Sequence, residues 1–197
     1  MLRSRQDELS DRGRQALELL NDDVQRFERL VQDLLEISRF DAGVVELTRE
    51  EALLPELVHQ ALKSGRWGHV ELDVAASAEN CVVFVDKRRI ERVLANLFEN
   101  AQDHGGGLSS VHVDCEGGKG RVLVDDAGPG VPLEFRSLIF ERFARGTASG
   151  QRSKGHDVGL GLSLVTEHIR LHGGAAWVED APSGGARFVI ELPAESL

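Results

Sequence analysis

The chain has 197 residues, enough for one medium-sized domain and a helical appendage. Hydrophobic residues make up 41%, so a packed core is attainable, yet no stretch approaches the ~18 consecutive apolar residues of a membrane span. A formal net charge of −10 argues against general nucleic-acid binding, which draws on Lys and Arg, and no basic start followed by an apolar run marks a secretory signal.

Leu9 to Phe40 reads as one long helix, because Leu17, Leu20, Val24, Phe27, Val31 and Leu34 step by three and four along one seam. Leu30, Leu35 and Ile37 widen that stripe, so the helix is expected to pack in a bundle. Gly43 suits a left-handed stop. Val44 to Leu47 reads as a strand and Glu51 to Leu62 as a helix with Pro55 in its first turn. Strands follow at Val70 to Val74 and Val82 to Val85. Asp86 to Gln102 is helical, with Ile90, Val93, Leu94, Leu97 and Phe98 on one face. Val111 to Cys115 and Arg121 to Val124 form a predicted hairpin, and Glu134 to Glu141 a short helix. Arg145 to Asp157 is polar and aperiodic, so it reads as a mobile loop. Leu160 to Leu171 is helical, and Ala175 to Glu179 with Arg187 to Leu192 close the chain as a second hairpin. Cys81 and Cys115 lie in apolar strand-like runs and read as buried free thiols, which suits a reducing cytoplasm.

Three clusters carry chemistry. In Asn96-Leu97-Phe98-Glu99-Asn100-Ala101-Gln102-Asp103-His104, Asn96 and Asn100 share a helix face. An Asn amide oxygen is a hard ligand suited to Mg²⁺ on a triphosphate; the same residue can also cap a neighbouring backbone group. In Asp125-Asp126-Ala127-Gly128-Pro129-Gly130-Val131, an acidic residue leaves an apolar strand and enters a glycine turn. Asp126 can accept from the exocyclic amine that distinguishes adenine from guanine, although an ordinary strand exit gives the same pattern. Gly159-Leu160-Gly161-Leu162-Ser163 opens a helix, and a glycine-rich helix start offers unpaired N–H groups to phosphates or simply packs closely.

Taken in this order, the clusters resemble the histidine kinase members of the ATPase superfamily that also holds gyrase, Hsp90 and MutL. Asn96 to His104 looks like the family's N box, Asp126 to Gly130 its first glycine box, Phe140-Glu141-Arg142-Phe143 its F box and Gly159 to Leu162 its second glycine box. The likeness covers residues 50 to 193 or so. Upstream, Arg26 to Gly43 is similar to the second helix of the dimerisation and histidine phosphotransfer domain. The resemblance implies an α+β fold: a two-layer α/β sandwich with a mixed sheet, the Bergerat-type ATP-binding fold, preceded by a long bundle-forming helix. It divides the chain into residues 1–43, part of the phosphotransfer hairpin, and 44–197, the catalytic domain.

The resemblance also implies phosphoryl transfer from ATP to a histidine outside this chain, then to an aspartate on a response regulator. It assigns Asn100 to Mg²⁺ and catalysis, with Asn96 in support. Asp126 would bind adenine, with Gly128, Gly130 and Val131 shaping the pocket and Asp103 and His104 at its rim. Gly159, Leu160, Gly161 and Leu162 would hold phosphates. Arg142 and Phe143 would couple the lid to the γ-phosphate, and Lys154 would supply charge from the lid. Asp103 replaces an often basic position, and Asp157 replaces the first glycine of the second glycine box. No His is followed by the acceptor pattern of Glu or Asp, Leu, Arg and Pro. Hence His59, His69, His112, His156, His168 and His172 read as surface or packing residues. Met1 to Arg5 is expected to end the preceding helix, with the acceptor and any membrane anchor upstream. The implied protein is a cytoplasmic homodimer joined through the N-terminal helix. Two alternatives stand beside it. One is a silent nucleotide-binding and dimerisation module, left open by Asp103 and Asp157. The other is a serine kinase or ATPase of the same superfamily, against which the helix before residue 43 argues.

Overall fold

A computed structural model describes residues 11–144 and 159–196. The chain divides into two units, Met1–Val45 and Glu46–Leu197. The first contains α1 (Asp11–Asp41). It ends where the sequence places the stop: Gly43 takes φ +66° and its N–H bonds to the Phe40 carbonyl at 3.0 Å. Leu20, Val24, Phe27, Val31 and Leu34 of the seam are exposed, Phe27 by 67%.

The second unit is a sheet covered on one face by helices. Its elements are β1 (Glu50–Leu53), α2 (Leu54–Ser64), β2 (Leu72–Val74), β3 (Cys81–Val85), α3 (Lys87–His104), β4 (Leu108–Glu116), β5 (Lys119–Asp126), α4 (Gly161–Leu171), β6 (Ala175–Asp180) and β7 (Ala186–Ser196). Strands run in the order β1-β3-β7-β5-β4-β2, with β6 also on β7. Among the described residues only β2 and β4 pair in parallel, so the sheet is mixed. Period-two alternation sends Val111 and Val113, Val122 and Val124, and Phe188, Ile190 and Leu192 into the core. They meet Leu57, Val58 and Leu62 of α2, Ile90, Leu94 and Phe98 of α3, and Val165 and Ile169 of α4. Burying a side chain of this size contributes about 1.5–3 kcal/mol, so this two-layer contact dominates stability.

The opposite face carries cross-strand ion pairs. Arg121 bonds Asp114 at 2.8 Å and Lys119 bonds Glu191 at 2.6 Å. Such exposed pairs contribute about 0–1 kcal/mol each. One pair differs. Arg187 grips Asp125 through two bonds of 2.7 and 2.8 Å, and Asp125 is only 2% exposed.

Three expected elements are corrected. Val44 to Leu47 is not a strand; the strand begins at Glu50, where Thr48 N–H is already tied to the Asp86 carboxylate at 3.2 Å. Glu134 to Glu141 is not one helix but two 3-10 turns, Leu133–Phe135 and Leu138–Phe140. The Arg136 side chain folds back to the Val131 carbonyl at 3.0 Å and out to Asp180, fixing a bend between them. The helix expected from Glu51 starts only at Leu54, because Glu51–Leu53 pair with β3 as part of β1. The other described elements hold, with ends shifted by a few residues; β4, β5 and β7 run longer than their apolar cores suggest.

Two buried features bear on later results. Cys81 and Cys115 are free and buried, and their thiols hydrogen-bond to each other. Burial first, then the neighbouring thiol, pushes Cys81 up to about 12. At the far end of α4, His172 Nδ1–H donates to the His168 carbonyl at 2.7 Å while Nε2 accepts the Asp86 N–H at 3.0 Å. Only the neutral ring can do both, and burial holds its pKa below the ordinary value. Because the unfolded chain takes up this proton more readily, stability is full above about pH 6.5 and falls below it. Urea unfolding between about pH 7.5 and 5 should show that slope, and His172→Gln should flatten it whatever its absolute stability.

Candidate nucleotide-binding site

β5 delivers Asp126 to the end of the sheet, where the backbone leaves the ladder for the Ala127–Gly130 turn. Asp126 is 4% exposed. Its Oδ1 accepts the Gly128 N–H at 3.0 Å and the Ala186 N–H at 2.8 Å. These two bonds aim the carboxylate and leave Oδ2 without a donor among the described residues. Burial raises the Asp126 pKa, opposed by the two backbone bonds. A carboxylate held among buried groups, with one oxygen free of donors from the described residues, suits a polar partner.

Glycines crowd this carboxylate. A Cβ on Gly105 would lie 2.4 Å from Asp126 Oδ2, and one on Gly185 would lie 2.2 Å from the Asp126 carbonyl. Gly128 approaches the Gly105 backbone at 3.0 Å by the same measure. Gly130 takes φ +79°. The sequence assigns pocket roles to Gly128 and Gly130; Gly185 is legible there only as part of the closing-hairpin motif Gly184-Gly185-Ala186-Arg187-Phe188, and Gly105 has no role. Gly105 opens a run of three glycines directly after α3, a signal that was visible without its meaning.

α3 begins at Asp86, whose carboxylate caps Arg89 N–H at 3.3 Å, and buries its apolar stripe against the sheet. Beside that stripe lie Asn96 and Asn100, both half-buried. Asn96 Nδ2 donates to the Gly161 carbonyl at 3.4 Å, which joins α3 to the start of α4. Asn100 makes no hydrogen bond to a described residue, so its amide oxygen is available. Asp103 and His104 are exposed at the end of α3. From Asn96 to Gly105 the helix rises about 13 Å. The face therefore has two ends, the Asp126 carboxylate and the α4 N-terminus, with Asn100 between them.

At α4 the first-turn N–H groups of Gly161, Leu162 and Ser163 lie beyond the reach of intrahelical acceptors. Leu160 is buried and Gly159 takes φ +76° with its carbonyl accepting the Phe143 N–H at 3.0 Å. A Cβ on Gly159 would strike the Ala144 carbonyl at 2.4 Å. The described chain thus closes upon itself on either side of residues 145–158. Arg142 and Phe143 are exposed, Phe143 with φ +63°, and Val131 packs partly on the core. The structure brings Asn96, Asn100, Asp126, Gly128, Gly130, Gly159, Leu160, Gly161 and Leu162 onto one end of the sheet and its two flanking helices. Lys154, His156, Asp157 and the Arg145–Asp157 loop lie outside the described residues. Among those residues no cluster of three His, Cys, Asp or Glu could hold a metal, and no helix is long and apolar enough to cross a membrane.

A sequence profile of the histidine kinase-, DNA gyrase B- and HSP90-like ATPases matches residues 85–196, more than half of the chain. The chain belongs to that family. The match spans α3, the Asp126 turn and α4 together, the elements from which the site is built. The sensor histidine kinase MtrB of Mycobacterium tuberculosis is 41% identical over 189 residues, covering 91% of this chain and 32% of MtrB. This chain therefore spans about a third of the length of the curated relatives it matches. Full-length ShkA in complex with AMPPNP superposes with a TM-score of 0.75 at 26% identity, over 96% of this chain and 40% of ShkA. The histidine kinase ThkA, in complex with the response regulator protein TrrA, gives 0.68 at 26% identity, over 98% of this chain and 55% of ThkA. The two-layer fold with its mixed sheet is thus that of histidine kinase ATP-binding domains, and the ATPase family makes ATP the nucleotide to fit.

The glycine crowding gives this family member a sharp test. Gly105→Ala places a methyl against the Asp126 carboxyl group, whose Cβ and Cγ lie 2.5 Å away and whose Oδ1 is held by two N–H groups. Overpacking of this kind costs about 1–3 kcal/mol. ATP affinity should fall about tenfold or more because the carboxylate itself must move. Thermal melting reads the first loss and calorimetry with ATP the second.

Proposed function

We propose that this chain is the ATP-binding catalytic portion of a sensor histidine kinase, which passes the γ-phosphate of ATP to a histidine outside these residues for relay to a response-regulator aspartate. The observation that carries the reading is the Asp126 carboxylate, fixed by two backbone N–H groups with Oδ2 beside Gly105. That arrangement suits the exocyclic amine of adenine. The α4 N-terminus, with its free N–H groups and positive dipole end, suits the phosphates. The half-buried Asn100 oxygen fits Mg²⁺, which takes few protein ligands and several phosphate and water oxygens. Bound there, the ion would neutralise phosphate charge.

Phosphoryl transfer depends on positioning and charge neutralisation more than on covalent help from the protein. Asp126 orients the base, with Gly105, Gly128, Gly130 and Gly185 admitting it closely. Gly159 to Leu162 hold phosphates, Asn96 ties α4 to the Asn100 face, and Arg142 and Phe143 lie beside the phosphate end. Asp103 and His104 line the rim of α3, and Lys154 adds charge from the lid. The acceptor nitrogen attacks the γ-phosphorus, the bond to the β–γ bridging oxygen breaks, and ADP leaves.

We assign residues 1–43 to the phosphotransfer hairpin, through which a cytoplasmic homodimer forms, and residues 44–197 to the catalytic domain. The exposed seam of α1 supports this, since a stripe of that width usually finds a partner. The names of MtrB and ThkA as histidine kinases support the reaction, and the ThkA–TrrA complex supports the partner class. Incubation with γ-labelled ATP should leave this chain unlabelled. A separately expressed helical segment carrying the acceptor should gain acid-labile label when added. Asn100→Ala should abolish that label without lowering the melting temperature. Label on this chain alone would overturn the assignment of the acceptor, and an unaltered Asn100→Ala rate would remove the metal role.

A further inference from the structure

We propose that the free edge of β2 and the hollow beside α2 form a docking site for an extended protein segment that joins the sheet as a strand, with apolar side chains at alternate positions and an acidic end. The site lies away from the nucleotide face, on elements the proposed reaction does not use.

The ladder sets the edge. β2 pairs in parallel with β4, Leu72 opposite Val111 and Val74 opposite Val113. The Glu71 carbonyl accepts Val111 N–H at 3.3 Å, and the Ala75 N–H bonds the Val113 carbonyl at 2.9 Å. In a parallel ladder alternate residues face one neighbour, so Leu72 and Val74 turn their N–H and C=O groups outward. β2 ends the strand order, and an open edge is a template for another strand.

Beside this edge lies a recess. Two adjoining hollows of about 360 and 500 Å³ share His59, Leu72 and Val74. Leu62 and Val70 extend the apolar floor. The side chains of Leu72 and Val74 thus line the hollow while their backbone groups face the open edge. An added strand would satisfy the edge and lay every second side chain into the recess. The three-residue length of β2 limits the backbone bonds available, so the recess must supply much of the affinity.

Charge selects the occupant. The whole chain carries −10, yet His59 to His69 holds Lys63 and Arg66 with no acidic residue. Lys63 lines the hollow beside Gly68 and Val70, whereas Glu56 lines its other end. The one acid of β2 does not oppose this polarity. Asp73 alternates with Leu72 and Val74 and is held on the other face by His112 Nδ1 at 3.0 Å. An acidic end therefore belongs at Lys63.

The test is an amide chemical-shift titration of the full chain with capped synthetic peptides of alternating Val and Thr, begun with either two Asp or two Lys. The Asp peptide should bind in the sub-millimolar range, shifting Leu72, Val74 and Lys63, and ATP should not compete. Val74→Pro removes an outward N–H but no ladder donor, a tolerated edge change, and should weaken binding about tenfold. Lys63→Glu, at an exposed position that leaves the fold intact, should reverse the preference to the Lys peptide. No shifts at about 1 mM peptide would overturn the proposal, as would shifts centred elsewhere or an unchanged charge preference in Lys63→Glu.

Discussion

Asp126→Asn should weaken ATP binding about a hundredfold or more while thermal stability holds or rises. The Asn oxygen can still accept the N–H groups of Gly128 and Ala186, which now bond Oδ1 at 3.0 and 2.8 Å. Its NH₂ then stands where Oδ2 stood and confronts the adenine amine, donor against donor. Flipping the amide would set NH₂ against two backbone N–H groups, so that escape is closed. A hydrogen bond to a charged acceptor contributes about 1.5–3 kcal/mol, and each 1.4 kcal/mol is tenfold in affinity. The unmatched donor adds to the loss.

Stability moves the other way because burial raises the Asp126 pKa. Such a carboxylate is ionised more readily in the unfolded chain, so above about pH 4 its charge opposes folding. Removing the charge removes that penalty and the accompanying pH dependence. Calorimetry with ATP and GTP, beside thermal melting, separates the outcomes. The wild type should prefer ATP and the variant should lose the preference. A variant that melts early, or that still binds ATP as tightly, would remove Asp126 from adenine recognition.

Arg187→Met should cost about 3–5 kcal/mol, the range for a buried charge stripped of its partner. Asp125 is 2% exposed and receives two Arg187 bonds of 2.7 and 2.8 Å. Without them it keeps the Ser110 hydroxyl at 3.3 Å and the His112 ring at 3.6 Å, neither a fixed cation. Replacing both partners, Asp125→Leu with Arg187→Met, should recover most of the loss, since an apolar pair avoids the desolvation of two charges. Denaturant unfolding of both single variants and the double variant closes the cycle. A single-variant cost below about 1 kcal/mol would show a pair as weak as the exposed ones.

These two sites mark where the sequence is readable. Long periodic segments, α3 and α4 above all, are plain because a stripe of apolar residues at helical spacing has few other uses. Asn96, Asp126 and Gly161 were legible as motifs, and the Asn96–Gly161 contact brings two of them together. Arg187 was legible as the start of the last strand, but its partner carried no local signal. Arg187 faces Asp125 only through the β5–β7 register, a pairing of residues far apart in sequence. The part played by Gly105 and Gly185 was equally hidden, although Gly185 stood in the closing-hairpin motif, since what they make room for is Asp126 of another strand. The misplaced strand at Val44 to Leu47 has a different cause: an apolar tetrapeptide suggests a strand, but β1 is an edge pairing of Glu50 and Glu51 with β3, stabilised by backbone bonds that composition does not report.

The paired thiols of Cys81 and Cys115 give the protein a built-in reporter of its own opening. The Cys81 thiol, held near 12, is ionised in about one molecule in 10⁵ at neutral pH, and Cys81 has no exposed surface. An electrophile in solution therefore does not reach Cys81 while β3 stays in place. Modification counts excursions that expose this strand, at a rate set by how often the native structure lets go. Kinetics of thiol trapping can thus follow the breathing of this domain, with and without nucleotide, without any introduced label.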